Sequence, residues 1–136
     1  MVKRMLIAIV ALAFSAGVAQ AQPKVEKAPI KQTAASDAQK MFDSYCAVCH
    51  GKDGKGTGPA SKALAKVPAD LTKLSARNGG KFPDVHVRRY IEGLDEVAAH
   101  GSRDMPMWGE LFRSLNRDTA QIRITGLAEY LKAMQQ

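Results

Sequence analysis

The chain has 136 residues, a formal net charge of +7, and 46% hydrophobic against 24% charged residues. A chain of this length forms one domain, and its composition is that of a globular rather than a disordered protein. Two cysteines exclude a disulfide-rich scaffold and are too few for a four-thiolate zinc or iron–sulfur site. Only 6% of the residues are aromatic, so the protein's own side chains would form a modest core unless another group helps to fill it.

The N-terminal 21 residues have the three parts of a secretory signal peptide. Lys3 and Arg4 give a basic start, residues 6–18 form an apolar run, and Ala19-Gln20-Ala21 is an A-x-A cleavage site. The run is shorter than the about 20 residues that span a bilayer, and an uncleaved membrane anchor is the alternative interpretation. We expect cleavage after Ala21, export to the periplasm, and no membrane insertion afterwards.

The positive charge is spread along the chain. Loss of Lys3 and Arg4 with the signal peptide would lower the net charge by two and leave a positive excess. No block of five like charges and no basic–aromatic interleaving occurs, so we expect no nucleic-acid partner. The remaining excess favours partners with acidic docking surfaces.

The mature chain divides into a leader and a helical domain. Residues 22–35 contain two prolines and three lysines without apolar periodicity, which predicts a flexible leader. Residues 36–136 form the predicted domain, and Ser36 with Gln39 has the spacing of a capping box. The helix that follows places Phe42, Cys46 and Cys49 on one face, and a glycine-rich loop over residues 51–59 ends it.

Further helices follow, and no segment alternates with the period of a strand. Asp70 can cap a short helix, and Pro83 can open another whose apolar positions fit helical spacing up to Gly93. A short helical turn is predicted at residues 111–115 and a long helix at 118–134. The apolar stripe of the last helix consists of Ala120, Ile124, Leu127, Leu131 and Met134. The sequence therefore predicts an all-α fold of four to five helices.

Cys46-Ala47-Val48-Cys49-His50 is a C-x-x-C-H motif, the signature of covalent c-type haem attachment. Two thiols one helical turn apart can each add to a vinyl group on one haem edge, and the next residue then brings a neutral imidazole to the iron. Cys46 and Cys49 could instead form a thioredoxin-like redox pair, but that motif belongs to a βαβ context. A zinc site would need further ligands that the sequence lacks.

At these residues the chain resembles the class I c-type cytochromes, which are small monohaem electron carriers. Phe42, four residues before Cys46, resembles the aromatic residue of the family's first helix. The glycine-rich residues 51–59 resemble the stretch after the haem motif, and Met105-Pro106 resembles the loop of the axial ligand. Residues 127–131 resemble the C-terminal helix. The resemblance implies a cytochrome c fold wrapped around one haem, with Gly126 at a close crossing of the first and last helices and Tyr130 meeting Phe42.

The resemblance also implies how the cofactor is held. One haem c would be bound covalently through Cys46 and Cys49, with its iron ligated by His50 and Met105. The backbone carbonyl of Pro59 would accept the imidazole N–H of His50.

Other residues could also contact the haem. Met107 and His100 are alternative distal ligands, and the indole N–H of Trp108 could reach a haem propionate. His86, among charged residues, is expected to be solvated.

A haem with both axial positions filled implies electron transfer rather than enzymatic catalysis. We expect a monomeric periplasmic one-electron carrier that exchanges electrons with redox proteins or membrane respiratory complexes. The alternative is a fixed haem subunit, or a dedicated electron-accepting partner, of one periplasmic oxidoreductase. A ligand sensor or peroxidase would require a labile Met105 position.

Overall fold

Helices account for all the regular structure in residues 32–95 and 105–136, the part of the chain that the computed structural model describes. The first helix, α1, begins with Ala38–Met41, widens into a π-helical turn over Phe42–Cys46 and ends with Ala47–His50. It is followed by α2 (Leu74–Arg77), α3 (Asp84–Glu92), α4 (Trp108–Leu115) and α5 (Ala120–Ala133). The all-α prediction is confirmed.

Short polar side chains cap these helices, although not always those that the sequence predicted. Asp37, rather than Ser36, caps α1, because its carboxylate accepts from the backbone N–H of Lys40 at 2.9 Å. Asp70 caps the 3₁₀ turn Leu71–Lys73 that leads into α2, as predicted. Hydrogen bonds from Thr72 lower the pKa of this carboxyl below its ordinary value. Asn116 caps the 3₁₀ turn Arg117–Thr119 before α5.

The core lies where α1, α3 and α4 pack on α5. Four of the five positions of the predicted stripe on the last helix are buried, and Met134, just past its end, is half-buried. Phe42 and Tyr130 meet with their ring centres 5.3 Å apart, as the resemblance implied. The buried apolar residues are Met41, Phe42, Tyr45, Ala47, Val87, Ile91, Phe112, Ala120, Ile124, Leu127, Ala128 and Leu131.

The fold begins earlier than predicted. Thr33, which falls inside the predicted flexible leader, is buried, and its backbone carbonyl accepts from the guanidinium of Arg123 at 2.7 Å. The last residues before α1 are therefore part of the domain, because their polar groups satisfy a buried side chain on α5. The rest of the predicted leader and the predicted signal peptide lie outside the described residues. No helix in the described ranges is long and apolar enough to cross a membrane.

Gly126 lies at the crossing of α1 and α5, but the crossing leaves room for a methyl group. A Cβ added there would lie 3.7 Å from the Cβ of Ala38 and 3.8 Å from the Cε of Met41, which are ordinary contacts. We expect Gly126→Ala to raise the free energy of unfolding by up to about 1 kcal/mol, because alanine favours the helix more than glycine does. Urea denaturation of the two proteins measures the difference.

Gly58 provides the matched control for this prediction. A Cβ on Gly58 would lie 2.5 Å from the carbonyl oxygens of Ala47 and Val48, so Gly58→Ala should destabilise the protein. If Gly126→Ala were also clearly destabilising, the crossing would be closer than the structure shows.

Candidate functional site

The glycine-rich loop after α1 folds back over the end of that helix and satisfies its free carbonyl groups. The backbone N–H groups of Gly56, Gly58 and Ala60 donate to the carbonyls of His50, Cys49 and Val48 at 2.7, 3.1 and 2.9 Å. Gly51 has a φ of 75°, which ends the helix in a conformation that side chains rarely adopt. This loop holds the C-x-x-C-H residues on a rigid helix end.

His50 is oriented by Ala69 and not by Pro59, so the prediction for Pro59 was wrong. The Nδ1 of His50 lies 3.1 Å from the carbonyl oxygen of Ala69. Because the loop turns back over α1, Pro59 lies instead on an outer surface beside Asp43 and Val48. Ala69 is brought under His50 by the bond from the Leu71 N–H to the Gly54 carbonyl, at 2.7 Å.

The C-terminus holds the same return segment in place. The side-chain Oε1 of Gln135 accepts from the backbone N–H of Ser75 at 2.8 Å, and its Nε2 donates to the carbonyl of Leu71, also at 2.8 Å. The N–H of Gln136 donates to the carbonyl of Thr72 at 3.0 Å. These bonds tie the segment after Ala69 to the end of α5. The residues that they join lie far apart in the sequence.

The surroundings of His50 favour a neutral imidazole with one nitrogen available for a metal. Burial lowers the pKa of His50, and the bond to Ala69 opposes this only in part. A carbonyl can only accept, so Nδ1 carries the proton and donates it to Ala69. In the neutral ring Nε2 is then unprotonated, which is the form that ligates iron.

Two adjacent cavities, of about 200 and 270 Å³, lie beside His50. They share five lining residues: Cys46, His50, Ala69, Met105 and Trp108. The first cavity is also lined by Leu64, Val67 and Pro68, and the second by mainly apolar side chains, several of them from α3 and α5. Because the two cavities share a wall and have a mainly apolar lining, together they suit a large apolar ligand.

The donor set fits a covalently attached haem. Cys46 and Cys49 have free thiols, both are half-buried, and both line the first cavity together with His50 and Met105. Imidazole and thioether are axial ligands of haem iron in proteins. In the described ranges, no group of three or more His, Cys, Asp and Glu residues could hold a metal ion without such a cofactor.

Cys46 does not have the properties of the attacking thiol of a dithiol redox pair. Burial, with a smaller effect from Cys49, raises the pKa of Cys46 to about 12. Catalytic thiols in redox motifs have lowered pKa values because the thiolate is the nucleophile. The strands of a thioredoxin-like unit are also lacking from residues 32–95 and 105–136. Both findings disfavour the thioredoxin-like interpretation.

Met105 and Met107 occupy different positions. Met105 lines both cavities, whereas Met107 packs against the end of α3, where a Cβ on Gly93 would lie 2.8 Å from its Cγ. Trp108, at the start of α4, lines both cavities and packs on Tyr45 and Phe112 at centroid distances of 5.6 and 6.2 Å. A bond from its indole to a propionate stays a prediction, and His100 lies outside the described residues.

Besides apolar side chains, the larger cavity is lined by three residues with polar groups that the sequence analysis did not assign to the site: Arg77, His86 and Tyr90. His86 is exposed, as expected, but its Nδ1 is 3.2 Å from a carboxylate oxygen of Asp95 and its ring lies 6.1 Å from that of Tyr90. The helical spacing of His86 and Tyr90 could have indicated a shared face. Arg77 is held beside the cavity by a hydrogen bond from its guanidinium to the carbonyl of Asp70, a contact that the sequence does not indicate.

This helical fold, with C-x-x-C-H facing an apolar cavity, defines a c-type cytochrome. A family model described as "Cytochrome C oxidase, cbb3-type, subunit III" matches residues 33–122, well over half of the chain, and the protein belongs to this family. Comparisons with curated proteins and with solved structures found no significant match to either. Membership in this family supports haem-based electron transfer.

Proposed function

We propose that this protein is a periplasmic one-electron carrier with one haem bound through Cys46 and Cys49 and ligated by His50 and Met105. One observation carries the proposal: two thiols, an imidazole and a thioether line the same apolar space. The haem, when bound, supplies a reversible one-electron couple. No nucleophile–base pair is required for that chemistry.

The residues around the site have separate tasks. His50 presents Nε2 while Ala69 holds its other nitrogen, which fixes the ring and its tautomer. The thioether of Met105 would favour ferrous iron and fill the sixth position. Apolar side chains such as Leu71, Leu74 and Ile91 line the larger cavity and would shield a bound haem from water, which would limit reorganisation when its charge changes.

A potentiometric titration of the mature protein tests this function. We expect a single couple that follows one-electron behaviour, with a low-spin spectrum in both oxidation states. A high-spin spectrum in the resting protein would instead support a sensor or peroxidase with an open position.

The second candidate is a fixed haem subunit or dedicated partner of one oxidoreductase. The description of the matching family, which names an oxidase subunit, favours it. Stoichiometric co-purification with a membrane or periplasmic enzyme would select this candidate, whereas recovery as a free monomer would select the carrier.

Export is tested at the N-terminus of the purified protein. We expect the mature chain to begin at Gln22, because Ala19-Gln20-Ala21 is followed by a polar segment. Intact-mass measurement of the periplasmic fraction decides this. Recovery of a membrane-bound form that still contains residues 1–21 would support the anchor.

Docking should depend on charge, because basic side chains lie at the cavities. Lys66 lines the first cavity and Arg77 the second. Electron transfer to an acidic partner should slow steeply as salt shortens the Debye length from about 30 to 10 Å. Lys66→Glu should flatten this salt dependence, and Lys132→Glu, on an exposed position of α5, is the control. A rate of the wild type that is constant across this salt range would contradict electrostatic steering.

A further inference from the structure

Arg123 is a charged side chain buried inside the domain. It lies on α5 and is 6% exposed. Its guanidinium donates to the Thr33 carbonyl at 2.7 Å, to the Thr33 hydroxyl at 3.3 Å and to the Met41 sulfur at 3.5 Å. Its central carbon lies 5.9 Å from the centre of the Phe112 ring.

None of these partners carries a negative charge. Among the described residues no carboxylate forms an ion pair with Arg123, and its Nε is buried without a hydrogen-bond partner. Arginine stays protonated in proteins, so this is a buried positive charge without a counter-ion among residues 32–95 and 105–136. Burying such a charge is unfavourable, and neutral acceptors and a ring face compensate for only part of the lost hydration.

Two chains of contacting side chains lead from Arg123 to the cavities of the proposed haem site. The hydroxyl of Thr33 lies 3.0 Å from that of Tyr45, which lines the first cavity. In the other chain of contacts, Phe112 contacts the guanidinium and packs 6.2 Å from Trp108, which lines both cavities. The side chains in both chains of contacts are buried or half-buried. The charge of Arg123 is therefore screened far less than a charge at the surface.

We propose that Arg123 tunes the redox equilibrium of the site towards the reduced state. Uptake of one electron from a donor protein would lower the net charge of a haem held at this site by one. A fixed positive charge nearby stabilises the reduced form relative to the oxidised form and so raises the reduction potential. The proposal rests on the one-electron function proposed above and assigns part of the control of the potential to α5.

Potentiometric titration of three variants tests the proposal. Arg123→Met removes the charge and keeps an unbranched apolar side chain. Arg123→Lys keeps the charge but replaces the planar guanidinium group with an ammonium group. At a fixed ambient potential we expect Arg123→Met to lower the ferrous-to-ferric ratio by about threefold or more. Arg123→Lys should stay close to the wild type. Arg117→Met, which removes a charge from an exposed position, should not move the ratio.

A fourth variant keeps the test independent of folding problems at position 123. Thr33→Asp leaves Arg123 in place and adds a carboxylate next to its guanidinium. Like Arg123→Met, it should therefore lower the ferrous-to-ferric ratio. Ratios equal to the wild type in Arg123→Met and Thr33→Asp, whatever their stability, would make Arg123 a purely structural anchor and overturn the proposal. Failure of the electron-carrier function would show in the wild type itself, as the lack of a one-electron couple.

Discussion

Cys46→Ala combined with Cys49→Ala should abolish haem attachment and most of the cooperative fold. The thiols lie on the helix end that borders the cavities of about 200 and 270 Å³, and few aromatic side chains are available to fill this space. Without the cofactor the apolar lining would face water or empty space, both of which are unfavourable. Haem staining after denaturing electrophoresis measures attachment, and circular dichroism during heating measures cooperativity.

The single variants are the matched controls for the double variant. Cys46→Ala and Cys49→Ala each leave one thiol, so each should retain some covalent haem at reduced yield. A double variant that still showed a haem band and a sharp thermal transition would contradict attachment at these residues.

Met105→Ala should remove the distal ligand and give a high-spin or newly ligated iron. The ferric form should lose its weak far-red sulfur-to-iron band and the reduction potential should fall, because the thioether favours ferrous iron. Pro106 supports this assignment, since proline biases the preceding residue towards extended geometry. Absorption spectroscopy and potentiometric titration measure both changes.

Met107→Ala is the control two residues away. Met107 packs on Gly93 and is half-buried, so its loss should cost less than the about 2–5 kcal/mol of a fully buried methionine and leave the far-red band intact. The reverse pattern would move the ligand to Met107. Retention of the band in both variants would exclude both methionines, and a wild type that lacks the band would favour His100.

The helices and the haem motif could be predicted from the sequence because their signals are local. The stripe on α5 and the cap at Asp70 depend on spacings within a few turns, and the structure confirms them. The C-x-x-C-H motif is likewise local, because all its residues lie at one helix end. The π-helical turn within α1 could not be predicted, because the pattern of apolar residues in the sequence does not distinguish it from an α-helical turn.

The errors concern groups that long-range packing brings together. The carbonyl that orients His50 belongs to Ala69 because bonds from Leu71 and Gln135 fix the path of a loop. The composition of residues 22–35 predicted that Thr33 lies in a flexible leader. Its burial depends instead on Arg123, 90 residues away. Backbone carbonyls carry no sequence signature, so a motif alone could not distinguish Pro59 from Ala69.

Mass spectrometry of the tryptic peptide spanning residues 41–52 tests the central claim most directly. This peptide contains both cysteines and His50 and lies between predicted cleavage sites at Lys40 and Lys52. We predict that it carries the mass of one haem joined to Cys46 and Cys49 by two thioether bonds. A peptide with free thiols or a Cys46–Cys49 disulfide, from cells able to mature c-type cytochromes, would contradict the account.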